Sequence, residues 1–261
     1  MTDPVSAITE ASATGTVAAT FADIRATTRV GVVNLIWRHL ATIPGALDWA
    51  WGAVRPRYAD GTLAEAADTL RASLTLPSLA RLPPPHADAA AILAAYDRTN
   101  IRALLALCAL RAQVHGTPCG QPLSRPARVA EPDLPLPPLP TLDALAPEVA
   151  ALVLALNQFG ADRPDPILAS MYRHLAYWPD LLAAIAASLR PLQAANLLRP
   201  AISQTLAQAN QAGTEFARVL APAPTLPGTS RAATVAALDR FADDALARMV
   251  VICAAIRQAC R

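Results

Sequence analysis

Apolar residues recur along this chain three and four positions apart, and two-residue alternation of β-branched side chains is almost absent. Where the helical period holds, it predicts helices over residues 17–28, 31–42, 44–55, 62–75, 86–114, 144–158, 167–177, 179–189, 192–212 and 229–259, with ends good to a few residues. Ala and Leu, both strong helix formers, fill most of these windows. The fold class read from this pattern is all-α.

Prolines mark the interruptions. Pro44 and Pro179 are expected in the first turn of a new helix, where a missing N–H costs nothing, and each pushes the residue before it out of the α region. Each therefore turns a sharp corner between two helices. Over residues 117–147 proline is so dense that neither helix nor sheet can persist, which predicts an extended linker near the middle of the chain.

The two corners carry an internal echo. WRHLATIP at 37–44 and YRHLAYWP at 172–179 match at Arg38/Arg173, His39/His174, Leu40/Leu175, Ala41/Ala176 and Pro44/Pro179, and the constant offset of 135 continues through Leu47/Leu182 and Arg55-Pro56/Arg190-Pro191. A second echo, AAILAAYDR at 90–98 and AATVAALDR at 232–240, follows at an offset of 142. Alanine matches count for little in such a chain, but the corners and the RHLA, RP and DR pairs keep their order. They predict a tandem duplication forming a pseudo-two-fold, dimer-like helical domain: a first repeat over 1–116, the Pro-rich linker over 117–147 and a second repeat over 148–261. A ligand site in such an arrangement is expected between the halves.

Composition narrows the function classes. The chain has 261 residues, 54% of them hydrophobic, enough for a sizeable core. Its net charge of +2 is spread without a basic block, so nucleic acid is not an expected partner. No lysine occurs, and all 22 basic residues are arginines, which points to coding bias more than to function. Mean hydropathy is +0.31, yet runs such as 149–156 and 249–256 fall short of the roughly 20 residues of a bilayer span, so no membrane role is expected. The first residues lack the pattern of a secretory signal, giving a cytoplasmic expectation. Cys108, Cys119, Cys253 and Cys260 show no CxxC or metal-ligand spacing, so free thiols and no metal are expected.

The segments TFADIRATTRVGVVNLIWRHLATIPGALDWAW (20–51), YADGTLAEAADTLR (58–71), TNIRALL (99–105) and SMYRHLAYWPDLL (170–182) resemble, in order, the group I 2-haloacid dehalogenases, which act on both D and L substrates. The similarity runs through most of the chain. It implies an all-α pseudo-dimer of two repeats, no cofactor, and a haloacid or other small carboxylic acid as partner; a homodimer is left open. In that family an Asp following a Ser, ahead of the second Trp-Pro corner, activates a water that attacks C2 of a 2-haloalkanoate, displacing halide with inversion and without a covalent ester. Here the Ser matches Ser170, and the Asp position is held by Met171. A thioether cannot take a proton from water, and loss of a general base typically costs roughly 10² to 10⁴ in rate. The resemblance also places Asn100 against substrate and water, and the pocket wall at Val32, Leu35, Leu238, Ala242 and Ala245.

Several residues admit two readings. His174 follows Met171 by three positions and shares its helical face, so it is a candidate replacement base; equally, with His39 as its echo, it is a packing histidine. Asn100 on an Ala/Leu helix needs partners if buried, either a ligand carboxylate or a neighbouring carbonyl. Arg38 and Arg173 fit a carboxylate by guanidinium geometry, or they bridge to acidic groups and helix ends. Ser170 either caps a helix or sits inside it. Asp162 and Asp165, on the loop before it, are within conceivable reach of the site.

Two functions follow: hydrolytic displacement of halide from a 2-haloacid, or a non-catalytic helical protein that keeps an apolar pocket for a small acid or hydrophobic ligand. A local likeness of YRHLAYWP to carboxymuconolactone-decarboxylase-like and alkylhydroperoxidase-like proteins carries less, because the CxxC of the redox branch is absent.

Overall fold

A computed structural model describes residues 5–118 and 132–260. Residues 119–131 of the predicted linker, Cys119 among them, lie outside the described residues. Within them the chain is all-α, with one isolated parallel bridge, Val30 to Leu134, and no strand. In order, α1 spans Gly15–Thr28, α2 Leu35–Leu40, α3 Ala46–Ala59, α4 Thr62–Ser73 and α5 Ala87–Val114. The second half holds α6 Pro147–Asn157, α7 Ser170–Leu175, α8 Pro179–Ala194, α9 Leu198–Phe216, α10 Gly228–Arg240 and α11 Ala247–Ala259.

The core is built on α5 and α11. From Ala103 to Leu110 every residue of α5 is buried, and so is every residue of α11 from Ala247 to Ile256. Helices apolar on all faces can only be central, and α5 lies along α9, α11 and α4. Small side chains allow the approach: at Gly213 of α9 an added Cβ would meet the backbone of Cys108 and Ala109 at 2.8 and 3.0 Å. Cys108 and Cys253 are buried free thiols and Cys260 is partly buried.

The corners differ in detail from the expectation. Pro179 opens α8, with the Leu182 N–H reaching the Trp178 carbonyl at 3.1 Å. Pro44 instead precedes its helix by two residues, and α3 begins after Gly45, whose φ of 73° only glycine adopts without strain. Neither Arg-Pro pair ends a helix: α3 runs through Pro56 and α8 through Pro191. Packing of α3 and α8 outweighs the lost backbone bond.

Residues 229–259 form one rod, but not a uniform one. Between α10 and α11 the turn Phe241–Leu246 is π-helical, with i to i+5 spacing.

One pair of ionic contacts runs between the first and second parts of the chain, and of a matching pair of arginine-to-carbonyl bonds one lies within each part. Asp97 on α5 accepts from Arg257 of α11, while Asp239 on α10 accepts from Arg111 of α5 at 3.1 Å. Arg98 donates to the Arg29 carbonyl at 2.9 Å, ahead of α2, and Arg240 donates to the Asp165 carbonyl at 3.0 Å, ahead of α7.

Candidate functional site

A cavity of about 740 Å³ lies between α2, α5, α7 and the rod formed by α10 and α11. From α2 come Leu35, Ile36 and Arg38; from α7 Ser170, Met171 and Arg173; from α5 Tyr96 and Asn100. The π turn and α11 supply Phe241, Ala245, Leu246 and Met249, and residues 136–139 cover one side with Leu136, Pro137, Pro138 and Leu139. Arg38 and Arg173, one from each echo motif, thus line one space.

Met171, Ser170, Asn100, Val32, Leu35 and Ala245 line this cavity. Leu238 and Ala242 do not; both are fully buried in the core. A regular α register places 238, 242 and 245 on one stripe, whereas the π turn brings residues five apart together, so Phe241 and Leu246 face the cavity. Asp162 and Asp165 do not reach it either. Their side chains are 65% and 57% exposed and are bound to Arg199 and Arg240. Arg240 holds Asp165 below the usual carboxylate range.

His174 stands behind the cavity wall, 0% exposed. Its Nε2 lies 3.0 Å from the Pro137 carbonyl, which can only accept, so Nε2 carries the hydrogen. Nδ1 is then the acceptor of the Tyr96 hydroxyl at 2.6 Å. Burial, opposed by the Pro137 bond and aided by Arg173, pulls His174 down to about 4, so it is neutral at pH 7. A proton leaving the cavity for His174 would pass through Tyr96, whose own pKa burial raises. The Ser170 hydroxyl sits beside the Tyr96 oxygen as a hydrogen-bond partner, and Arg173 and Arg38 both act on Tyr96 electrostatically.

Asn100 is 6% exposed, and its Nδ2 is buried with no hydrogen-bond partner. A buried amide donor left unmade costs about 1–3 kcal/mol, and the residue that carries this one lines the cavity. Met171 is 1% exposed and offers only a thioether.

Glu10 is the acidic residue among the described lining. Sequence reasoning missed it, as it missed Tyr96 and the 136–139 strap. Its Oε1 accepts from the Val33 N–H at 2.9 Å and its Oε2 from Arg25. Nothing in the pattern of residues 5–14 signals this, because the segment reaches the cavity through tertiary bonds such as Ile8 N–H to the Arg38 carbonyl at 3.1 Å.

The approach to α7 is clamped by three buried polar residues. Asp244 Oδ2 accepts from the Ile167 N–H at 2.8 Å, and Arg248 donates to the Ile167 carbonyl at 3.0 Å and to the carbonyl of Asn157. Asn157 Oδ1 accepts from the Ala169 N–H at 3.0 Å. This clamp sets the backbone that delivers Ser170 and Met171. Among the described residues no three His, Cys, Asp or Glu side chains converge as metal ligands, and no single helix is long and apolar enough to cross a membrane.

No known family profile and no curated protein matches the chain by sequence. Solved structures do match by fold. A D-2-haloacid dehalogenase mutant in complex with D-2-CPA superposes with a TM-score of 0.76 at 16% identity, covering 99% of this chain and 97% of that one. A D-2-haloacid dehalogenase in complex with L-LA gives the same TM-score and coverage at 14% identity. The chain therefore has the fold of the D-2-haloacid dehalogenases.

Proposed function

We propose that the cavity between the halves binds a small organic acid, with Asn100 Nδ2 donating to its carboxylate and the guanidinium groups of Arg38 and Arg173 supplying the positive charge. The observation that carries this is the buried, unpartnered Asn100 amide on the cavity wall. The dehalogenase structures that share the fold, one of them with D-2-CPA bound, support an acid as the ligand class. At position 171 a methionine stands where the group I dehalogenases, on the resemblance above, keep the water-activating Asp. Recognition of the acid is then retained and the base at that place is lost.

The test is thermal denaturation with acetate, propionate and both enantiomers of 2-chloropropionate, each beside its amide. A ligand at 100 times its Kd stabilises by about 2.7 kcal/mol. Acids are expected to stabilise the wild type and not Asn100→Ala. No stabilisation by any acid, or equal stabilisation by the amides, would overturn the reading.

A second reading, hydrolytic displacement of halide, is favoured by one observation: the Glu10 carboxylate lies in the wall and can accept further hydrogen bonds beside those from Arg25 and Val33. Halide release from 2-chloropropionate that Glu10→Gln abolishes would support it. Release only after Met171→Asp would instead place the lost base at 171, and inactivity of both wild type and Met171→Asp would remove the reaction.

The tandem duplication belongs to the same reading. It is supported by the echoes and by the reciprocal contacts of Asp97 with Arg257 and Asp239 with Arg111, since a two-fold arrangement repeats each contact with partners exchanged. The protein acts without cofactor on this reading and takes neither nucleic acid nor membrane as partner.

A further inference from the structure

Resting on the organic-acid reading, we propose that the preferred ligand is a medium-chain monocarboxylic acid, its unbranched alkyl chain laid along the rod formed by α10 and α11. Four side chains of the rod face the cavity: Phe241, Ala245, Leu246 and Met249. All four are apolar, and the charged residues of the described lining, Glu10, Arg38 and Arg173, come from other segments. Residues four apart share a helix face, so Ala245 and Met249 continue one stripe, and the π turn at Phe241–Leu246 adds its two end residues to it. The Phe241 ring packs 5.5 Å from the His39 ring, so the stripe begins beside α2. From Phe241 to Met249 it runs about 12 Å, at 1.5 Å per residue. That length takes an alkyl chain of about eight carbons, since a C–C bond advances it by at most ~1.5 Å.

Size separates this ligand from a shorter acid. A three-carbon acid has five heavy atoms and, at about 30 Å³ for each, the share of one water in the liquid, takes about 150 Å³. That is about a fifth of the cavity's 740 Å³, a volume in the range of pockets that bury drug-sized ligands. Each methylene moved from water onto the apolar stripe strengthens binding by about fourfold. A second polar group at the far end of the chain would meet only hydrocarbon and thioether, so the stripe selects a monoacid. Met171 and Met249 both line the space, and unbranched thioethers adapt to a chain in more than one bend. On this reading Met171, with no proton chemistry to offer, is part of the apolar wall.

The experiment is a calorimetric titration of the full chain with straight-chain monocarboxylic acids of two to twelve carbons, each beside its primary amide. From three carbons upward Kd is expected to fall about fourfold per added methylene, to a break near eight carbons, with one acid bound per chain. Ala245 stands midway along the stripe, so Ala245→Leu is expected to move the break to shorter acids and to weaken the eight-carbon acid by about tenfold or more. Affinity that stops rising at three carbons would overturn the proposal while leaving the organic-acid reading in place. Binding by no acid, or amides that bind as tightly as their acids, would overturn both. A series that climbs through twelve carbons without a break, or several acids bound per chain, would mean adsorption to the surface and refute the proposal. A break that Ala245→Leu leaves in place would refute the stripe as the seat of the alkyl chain. The wild-type series needs no variant, so a folding failure of Ala245→Leu does not shelter the proposal.

Discussion

The Tyr96 hydroxyl lies 2.6 Å from His174 Nδ1 and donates to it, while the opposite edge of the ring is fixed on the Pro137 carbonyl. One buried imidazole thereby ties α5, α7 and the strap over the cavity into a single hydrogen-bonded line. The arrangement requires the neutral ring, because a proton on Nδ1 would face the hydroxyl hydrogen of Tyr96.

A pH dependence of stability follows. The folded His174 titrates near 4 against 6.5 for the free side chain. Above pH 6.5 both folded and unfolded forms are neutral and the residue contributes no slope. As pH falls from 6.5 to 4 the unfolded chain takes up a proton that the folded chain refuses, so stability is lost in that window, by up to about 3 kcal/mol. His174→Gln can still accept from Tyr96 and donate to Pro137, yet does not titrate. Urea denaturation at pH 7 and pH 4 is expected to show the wild type losing more than the variant by that amount; parallel losses would remove the assignment.

Arg248 is the second group whose removal should be costly. Its side chain is fully buried and donates to the carbonyls of Asp244, Asn157 and Ile167. Arg248→Met leaves those carbonyls and the Asp244 carboxylate without it, and breaking such a buried charge typically costs about 3–5 kcal/mol. Asp244 and Asn157 also hold the 167–169 backbone, so the loss should reach α7. The expected result is a lowered Tm together with weakened acid binding at temperatures where the variant remains folded. Unchanged binding there would show that the clamp does not position Ser170 and Met171.

At Gly213 the prediction is steric. A methyl group would meet the Cys108 and Ala109 backbone at 2.8 and 3.0 Å, and backbone cannot swing aside as a long side chain can. Although Ala is the better helix former by about 1 kcal/mol, Gly213→Ala should force α9 off α5 and destabilise by about 1–3 kcal/mol. Thermal denaturation decides it, and a stabilised variant would mean that the two helices are less closely packed than described.

The order of helices was legible because a 3.6-residue period needs no partner to be seen, and the two Pro corners localise the turns. The helices predicted over 44–55 and 179–189 stop short of Pro56 and Pro191, whereas the helices run through both, since the local cost of proline is visible in sequence and the packing that overrides it is not. At the site, Asn100, Ser170 and Met171 could be singled out through the echo and the resemblance. Phe241 and Leu246 could not, because a π turn shifts the register without a compositional mark. Pro137 and Pro138 read as linker for a sound reason, their backbone being neither helix nor sheet. What sequence omits is that a segment without secondary structure can still be pinned in place, here by His174 and by the Tyr177 hydroxyl donating to the Pro138 carbonyl at 2.8 Å.

Asn100 provides a test in which stability and binding move in opposite directions. Its Nδ2 is buried without an acceptor, which costs about 1–3 kcal/mol. Asn100→Leu removes that donor at nearly the same volume, and Leu has the better helix propensity by about 0.5 kcal/mol. The variant should therefore be more stable than the wild type, by about 1–2 kcal/mol in urea denaturation without ligand. The same change deletes the donor that meets the carboxylate, so acid binding should fall by at least about tenfold. A residue kept for packing would show the reverse pattern, with stability lost and binding intact. Loss of both together would mean that Asn100 Nδ2 has an acceptor in the ligand-free protein and is not a donor waiting for one.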